Sequence, residues 1–301
     1  MKGFTSFIGI EKSYNKRKEV KEMKIGVFSK VYVRDSCEEA FSDIARDGIH
    51  DVQFNFETIR KDPLPEHVEE ELLDRINECA EKYSIRIDAL SGTFNMIDPD
   101  PDRKEKAIRQ FEYQCYLAHR LHAPVITLCT GSKNENKWKW DDRNLEEASY
   151  RELLETTRII LEFAHKYGIV LGVEPEPTNV INDAHKARRY LDDIADEHLK
   201  IVMDGANLFT EKNIDRIDEV LKESFSLLGK DVCLAHGKDL YIENRKTVYT
   251  GSGMGKIDFP LFVSLLIEYG YEGPIIMHGL KEEDVVTCRN YLEGVMDGKL
   301  C

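Results

Sequence analysis

Eight short apolar runs alternate with long amphipathic segments along this chain, and that alternation constrains its fold more than any other feature. The runs are Lys24–Ser29, Asp51–Phe54, Ile85–Leu90, Pro124–Cys129, Ile169–Glu174, Leu199–Asp204, Asp231–His236 and Gly273–Met277. Each is four to six residues long and rich in Val, Ile or Leu. Continuous apolarity over so few residues suits a parallel strand buried on both faces. Helical patterns lie between them. Ser36-Cys37-Glu38-Glu39 reads as a capping box ahead of the first. Pro65–Tyr83, Pro101–Leu121, Leu145–Tyr167, Asp183–Glu197, Ile214–Leu228, Phe259–Tyr269 and Glu282–Glu293 follow. Gly48, Gly168 and Gly270 each fall just after a helix and just before a strand, where a left-handed residue ends the helix. Strict alternation implies a parallel sheet. Eight units favour closure into a (β/α)8 barrel, an α/β fold, over an open doubly wound sheet. No linker divides the chain, so residues 23–301 are predicted to form one domain. Residues 1–22 read as an appended arm, locally basic through Lys12, Lys16, Arg17, Lys18 and Lys21 and without strand alternation. Glu11, Glu19 and Glu22 argue against an organelle-targeting segment there.

Composition narrows the partners. Lys and Arg number 42 against 56 Asp and Glu, a formal net charge of −14. An acidic surface repels phosphate backbones, so nucleic acid is not the expected partner. No apolar stretch approaches the roughly 20 residues needed to cross a bilayer, and Phe4–Ile10 is too short for a secretory core. The cysteines, at 37, 79, 115, 129, 233, 288 and 301, form no CxxC pair. They read as reduced thiols in a cytoplasmic protein. A small molecule is the expected partner, and an assembly of identical copies is compatible with the sequence.

In such a barrel, function gathers at the C-terminal ends of the strands. The fifth run ends Val173-Glu174-Pro175-Glu176-Pro177-Thr178-Asn179, and alternation puts Glu174 and Glu176 on one side. A carboxylate closing an apolar run is costly to bury unless paired or bound to metal. The sixth run ends Met203-Asp204-Gly205-Ala206-Asn207, the seventh Ala235-His236-Gly237-Lys238-Asp239, the eighth Met277-His278-Gly279. Each residue alone has a plainer role: Glu174 bonding a neighbouring loop, Asp204 shaping a turn, the histidines structural. Together, Glu174, Asp204, His236 and His278 converge at one barrel mouth. Carboxylates with imidazoles suit a divalent ion, Mn²⁺ or Zn²⁺. Asp239 reads as ordering its loop. Asn179 and Asn207 are candidate substrate contacts. Trp138 and Trp140, beside Lys133, Lys137 and Lys139, either stack on a sugar face or anchor their loop. Thr250-Gly251-Ser252-Gly253-Met254-Gly255 is either a phosphate cradle or a plain tight turn.

At these residues the sequence resembles the xylose isomerase-like TIM-barrel superfamily of sugar isomerases and epimerases, which also includes the endonuclease IV nucleases. The likeness runs from about Met23 to Leu292. Its signposts are Gly172-Val173-Glu174-Pro175, Met203-Asp204-Gly205-Ala206-Asn207, His236-Gly237-Lys238-Asp239, Gly251-Ser252-Gly253 before Ile257-Asp258-Phe259, and Gly270-Tyr271-Glu272-Gly273-Pro274. The resemblance implies metal ligands at Glu174, Asp204 and His236. The family's fourth ligand is usually a Glu ending the eighth strand, and here that place holds His278. In the tagatose- and psicose-type epimerases two glutamates also handle the proton at the sugar carbon, and this chain keeps one. Where the family often has a His three residues after the strand-6 Asp, this chain has Asn207.

The expected activity is therefore metal-dependent isomerisation or epimerisation of a sugar, sugar phosphate, polyol or sugar acid through an enediolate. Glu174 is the expected ligand and base, Glu176 a partner base or hydrogen-bond acceptor, and Lys238 the group that neutralises an oxyanion. Two alternatives are a sugar-acid or polyol dehydratase, which shares the first step, and a metal-free sugar-binding barrel. A nuclease needs more ligands than can be placed here.

Overall fold

The computed structural model describes residues 23–300, so the arm expected at 1–22 lies outside the described residues. The strands are β1 (Ile25–Phe28), β2 (Asp51–Phe54), β3 (Arg86–Ser91), β4 (Val125–Cys129), β5 (Val170–Glu174), β6 (Leu199–Asp204), β7 (Val232–Glu243), β8 (Lys246–Gly251) and β9 (Ile275–Met277). All but β8 pair in parallel around a ring. β6 continues to β7, β7 to β9, and β9 pairs with β1, which closes the barrel. Eight α-helices separate the strands: α1 (Cys37–Arg46), α2 (Glu70–Lys82), α3 (Pro101–Arg120), α4 (Glu147–Tyr167), α5 (Ala184–Ile194), α6 (Ile217–Leu228), α7 (Phe259–Glu268) and α8 (Val285–Met296).

Local signals set these boundaries. The Ser36 hydroxyl accepts from Glu39 N (3.2 Å), Asp183 from Lys186 N (2.8 Å) and Asp258 from Leu261 N (2.8 Å), each satisfying an orphan donor at a helix start. The three glycines expected to end helices, Gly48, Gly168 and Gly270, have φ of 75°, 68° and 78°. α2 begins at Glu70, later than the expected Pro65. Val68 is instead held on both backbone groups by the Tyr113 hydroxyl, at 3.0 Å from its N and 3.2 Å from its O.

Two apolar layers result. The larger lies between strands and helices, with Phe41, Phe54, Phe111, Phe225 and Phe262 fully buried. A smaller cluster of Phe28, Ala89, Val125, Val202, Leu234 and Ile276 fills the barrel interior. Gly172 belongs to that interior: a Cβ there would meet Val202 Cγ2 at 2.8 Å. Alternation then carries Asp204 and His236, two residues beyond Val202 and Leu234, onto the same inward face above the plug.

The seventh strand differs from expectation. It continues past His236 to Glu243 and turns back through β8 as an antiparallel hairpin. Asn244 and Arg245 form its two-residue turn with φ of 49° and 62°, both left-handed as a type I′ turn requires. The Gly-rich stretch after β8 is no phosphate cradle. Asp239 fills that role: its Oδ2 accepts from Gly253 N (3.1 Å) and Gly255 N (2.8 Å), and its Oδ1 from Ile257 N (2.9 Å) and Leu240 N (2.8 Å). With those amides satisfied by a fully buried carboxylate, a second anion would meet repulsion rather than donors.

Candidate metal centre and active site

Four strand ends bring their polar residues together at the C-terminal mouth. Asp204 and His236 sit at the same level on adjacent strands β6 and β7. Glu174 closes β5, and His278 follows β9. Glu174, Asp204 and His236 are each more than nine-tenths buried, while about a quarter of the His278 side chain is exposed.

The orientation of His236 decides what the cluster can do. Its Nε2 lies 2.8 Å from Gln53 Oε1 on β2, and Gln53 Nε2 donates to Thr127 Oγ1 on β4 (3.0 Å). The amide oxygen therefore faces the imidazole, and Nε2 carries the proton. Nδ1 then points at Glu174 Oε2 (3.4 Å) and Asp204 Oδ2 (3.5 Å). His278 Nδ1 lies 3.9 Å from the same Asp204 oxygen. His236 Nδ1 and His278 Nδ1 are buried atoms without a hydrogen-bond partner, and the Asp204 Oδ2 that faces both is paired with the Lys238 ammonium at 2.8 Å. The carboxylates facing the two imidazoles call for further positive charge between them, supplied by a proton on His236 or by a bound ion. The spacing is too long for good hydrogen bonds. It suits an ion, since ligand atoms about 2.1 Å from a tetrahedral centre lie about 3.4 Å apart. The ligating atoms of Asp204, His236 and His278 fall within 4.8 Å of one another. The donor set, two carboxylates and two imidazoles, is chemically consistent with Zn²⁺ or Mn²⁺.

Lys238, two residues after His236, is the second source of positive charge. Its Nζ lies 2.8 Å from Asp204 Oδ2 and 3.8 Å from Glu174 Oε1, donates to Asn207 Oδ1 (2.8 Å), and sits over the Tyr249 ring from β8 at 4.5 Å. Asn207 Nδ2 donates in turn to Glu174 Oε1 (2.6 Å). Asn207 thus bridges Glu174 and Lys238, holding the carboxylate with one oxygen on the amide and the other toward His236.

The electrostatics follow. Burial alone would push the His236 imidazole down, but the Glu174 and Asp204 carboxylates outweigh it and carry it up to about 9. Burial disfavours ionised Asp204, yet the Lys238 ammonium and both histidines hold it well below the carboxylate range. Lys238 is likewise opposed by burial and held protonated by Asp204 and Glu174. His278 goes the other way: burial pushes it down to about 4 against the pull of Asp204. It is a neutral imidazole at physiological pH, the form that ligates. Glu176, raised to about 7 by burial and then by Glu174, exchanges a proton near neutrality. Glu174, Glu176 and Cys129 of β4 bring their ligating atoms within 4.8 Å of one another.

The remaining sequence candidates lie elsewhere. Asn179 is fully buried, and its amide ties loops together through Gly131 N (2.6 Å) and Lys137 O (3.3 Å). That leaves it no free group for a substrate. Trp138 and Trp140 are 50% and 36% exposed, and Trp140 Nε1 donates to Asp142 on its own loop. Neither has a contact with the four-strand cluster among the described residues. Three neighbours of the site escaped sequence reasoning. Gln53 sits as a lone amide in the run Asp51-Val52-Gln53-Phe54, which was its only signal. Tyr249 arrives through the hairpin. Phe28 packs its ring 5.1 Å from His278, and nothing distinguishes it locally from a core phenylalanine.

Known proteins place this arrangement. An inosose dehydratase of Bacillus licheniformis is 25% identical over 206 residues, covering 63% of this chain and 68% of its own length. The apo structure of the 3-keto-D-glucoside 4-epimerase YcjR from E. coli superposes with a TM-score of 0.69 at 16% identity, over 91% of this chain and 99% of that one. An IolI structure with a zinc atom superposes with a TM-score of 0.66 at 14% identity, over 92% and 99%. The family model for the xylose isomerase-like TIM barrel matches residues 41–287. That span runs from α1 into α8 and takes in all four strand ends of the cluster, so the chain belongs to the xylose isomerase-like TIM barrel family.

Proposed function

We propose that this protein is a divalent-metal-dependent enzyme that moves a proton at a carbon beside a carbonyl in a sugar or sugar derivative, as an isomerase or epimerase. The observation that carries this reading is the convergence of Asp204 Oδ2, His236 Nδ1 and His278 Nδ1 beside Glu174, with neither imidazole nitrogen given a hydrogen-bond partner. Glu174, Asp204, His236 and His278 would hold the ion. When bound, the ion would polarise the substrate carbonyl and make the neighbouring C–H more acidic.

The chain's own groups supply the rest. Glu174 is oriented by Asn207 and is the carboxylate placed to receive the proton from carbon. Lys238 remains charged and sits where negative charge builds on a substrate oxygen. Glu176 can take or return a proton at neutral pH. Tyr249 covers the Lys238 ammonium and limits its hydration. With His278 in place of a second carboxylate, Glu174 acting alone would remove and return the proton on one face of the intermediate, which suits isomerisation; epimerisation would need Glu176 as the second proton-exchanging group.

Dehydration is the second reading. Glu176, protonated for much of the time at pH 7, could protonate a departing hydroxyl. The inosose dehydratase relative is consistent with it. Incubation of the metal-replete protein with a panel of ketoses, inososes and sugar acids in D₂O separates the two. Deuterium entering a C–H bond with the carbon skeleton unchanged supports isomerisation or epimerisation. Loss of water with a new carbonyl supports dehydration. No exchange and no product across the panel, with a full complement of metal, argues against both.

A further inference from the structure

The proposed ligands occupy only half of the barrel mouth, on β5, β6, β7 and β9. Loops following β1, β3 and β4 cover the other half, and they bring two lysines. Lys137 belongs to the loop after β4. Its Nζ donates to Thr93 O on the loop after β3 (2.7 Å) and lies 5.2 Å from the centre of the Trp138 ring. Lys30 directly follows β1 and holds its Nζ 4.7 Å over the Phe28 ring. That ring lies 5.1 Å from the His278 imidazole, so Lys30 is joined to the cluster by a single aromatic side chain.

Lys137 departs from the way this protein treats its half-buried amines. Lys104 and Lys133 share Glu152, and Lys200 pairs with Asp231 at 2.9 Å. Among the described residues no carboxylate lies within ion-pair distance of Lys137, whose one hydrogen-bond acceptor is a neutral carbonyl. Lys30 has only the half-exposed Glu57, at 3.9 Å. Burial, with the charge of Lys30 added, weakens the basicity of Lys137. The loop that carries it is also held in place. Asn179 Nδ2 donates to Lys137 O (3.3 Å), Asn95 Nδ2 to Ser132 O (2.8 Å), and Asn144 Oδ1 accepts from Lys133 N (2.8 Å), while the amine itself is tied to Thr93 O. A fixed, poorly compensated cation is an anion receptor whose ordering cost is met before any ligand arrives. On a protein with a net charge of −14, a local positive rim is also what an anionic ligand needs in order to approach.

We propose that Lys137, with Lys30 beside it, receives a carboxylate or phosphate at the end of the substrate remote from the Glu174–His278 cluster, so that the substrate is an acidic sugar derivative. This rests on that cluster being the reacting end, as argued above. Two matched pairs test it by titration calorimetry at pH 7: gluconate against glucitol, and fructose 6-phosphate against fructose. Each is run on zinc-loaded and on chelator-treated protein. Wild type should bind the anionic member of one pair at least about tenfold more tightly than its neutral partner. The gluconate pair reports a carboxylate site and the fructose 6-phosphate pair a phosphate site. Lys137→Met should abolish the preference while leaving neutral-sugar affinity and metal content unchanged, and Lys137→Arg should restore most of it. The proposal is overturned if wild type shows no preference in either pair, or if Lys137→Met keeps it. A preference seen only with zinc and unaffected by Lys137→Met would assign the anion to the ion and also overturn it. A preference that survives chelation and collapses in Lys137→Met upholds this subsite even if the protein proves to bind no metal.

Discussion

Asp88→Asn is expected to stabilise the protein by an amount that grows with pH. At the N-terminal end of the barrel, opposite the site, Asp51 and Asp88 share one guanidinium. Arg86 Nη2 lies 2.7 Å from Asp51 Oδ1 and 2.7 Å from Asp88 Oδ1. Lys24 is 3.9 Å from Asp51 and largely exposed. Asp88 Oδ2 is buried without a hydrogen-bond partner. Burial raises Asp88 from 3.8 to about 7; Arg86 offsets part of this and Asp51 adds to it. The unfolded chain therefore releases this proton near pH 4, while the native state keeps it until about pH 7. Between those values the native state binds more protons, so wild-type stability falls as pH rises. Three pKa units at about 1.4 kcal/mol each set a ceiling of ~4 kcal/mol, and roughly 2–3 kcal/mol is realistic because the Arg86 guanidinium stabilises the ionised carboxylate and is itself half exposed. Asparagine removes the titration and keeps the shape. Urea unfolding of chelator-treated wild type and variant, followed by circular dichroism at pH 4, 5, 6, 7 and 8, measures the gap. It should be small at pH 4, reach roughly 40% of its full value at pH 5 and be nearly complete by about pH 7. A gap independent of pH, or a variant less stable at pH 8, would refute the reasoning.

His236 gives the opposite pH signature. Its native pKa is raised to about 9, so in chelator-treated protein its contribution is complete below pH 6.5 and is lost as pH rises to 9. A bound ion must displace that proton, so metal affinity should rise about tenfold per pH unit from pH 7 to 9, measured by competition with a fluorescent chelator; a flat profile counts against His236 as a ligand. Gln53→Leu removes the acceptor for His236 Nε2–H and should lower metal affinity about 10- to 100-fold with the fold intact; unchanged affinity would show that Gln53 does not orient the ring. Asp239→Asn leaves two buried amides facing an NH₂ group and should cost roughly 2–4 kcal/mol in thermal or urea unfolding. A loss below about 0.5 kcal/mol would mean that those amides find other partners.

The barrel was legible because its signals are local and repeated: apolar runs, capping side chains, and Gly168 or Gly270 at a helix end. The four-strand cluster was legible for a related reason. Strand ends fall at one level in a barrel, so Glu174, Asp204, His236 and His278 could be aligned by counting from each run. The hairpin was missed because Lys238–Glu243 follows a strand already counted, and the Asn244-Arg245 turn lacks the glycine that usually marks such loops. Gln53 and Lys137 were missed as site residues because each meets its partners only through the closed ring, across 183 residues between Gln53 and His236 and 44 between Thr93 and Lys137. The tryptophans read either as a sugar platform or as anchors of their loop. That loop is fixed by Asn95, Asn144 and Asn179, and the indoles face solvent. Local pattern cannot separate those outcomes, because both put aromatic residues in a polar loop.

The central claim is that buried carboxylates and imidazoles at this mouth are arranged around a divalent ion. Elemental analysis of protein purified from zinc- and manganese-supplemented medium, beside Glu174→Gln and Asp204→Asn prepared identically, tests it most directly. The account predicts about one ion per wild-type chain and a sharp loss of occupancy in both variants, with circular dichroism unchanged. Wild type without metal under these conditions, or variants that hold as much metal as wild type, would contradict it.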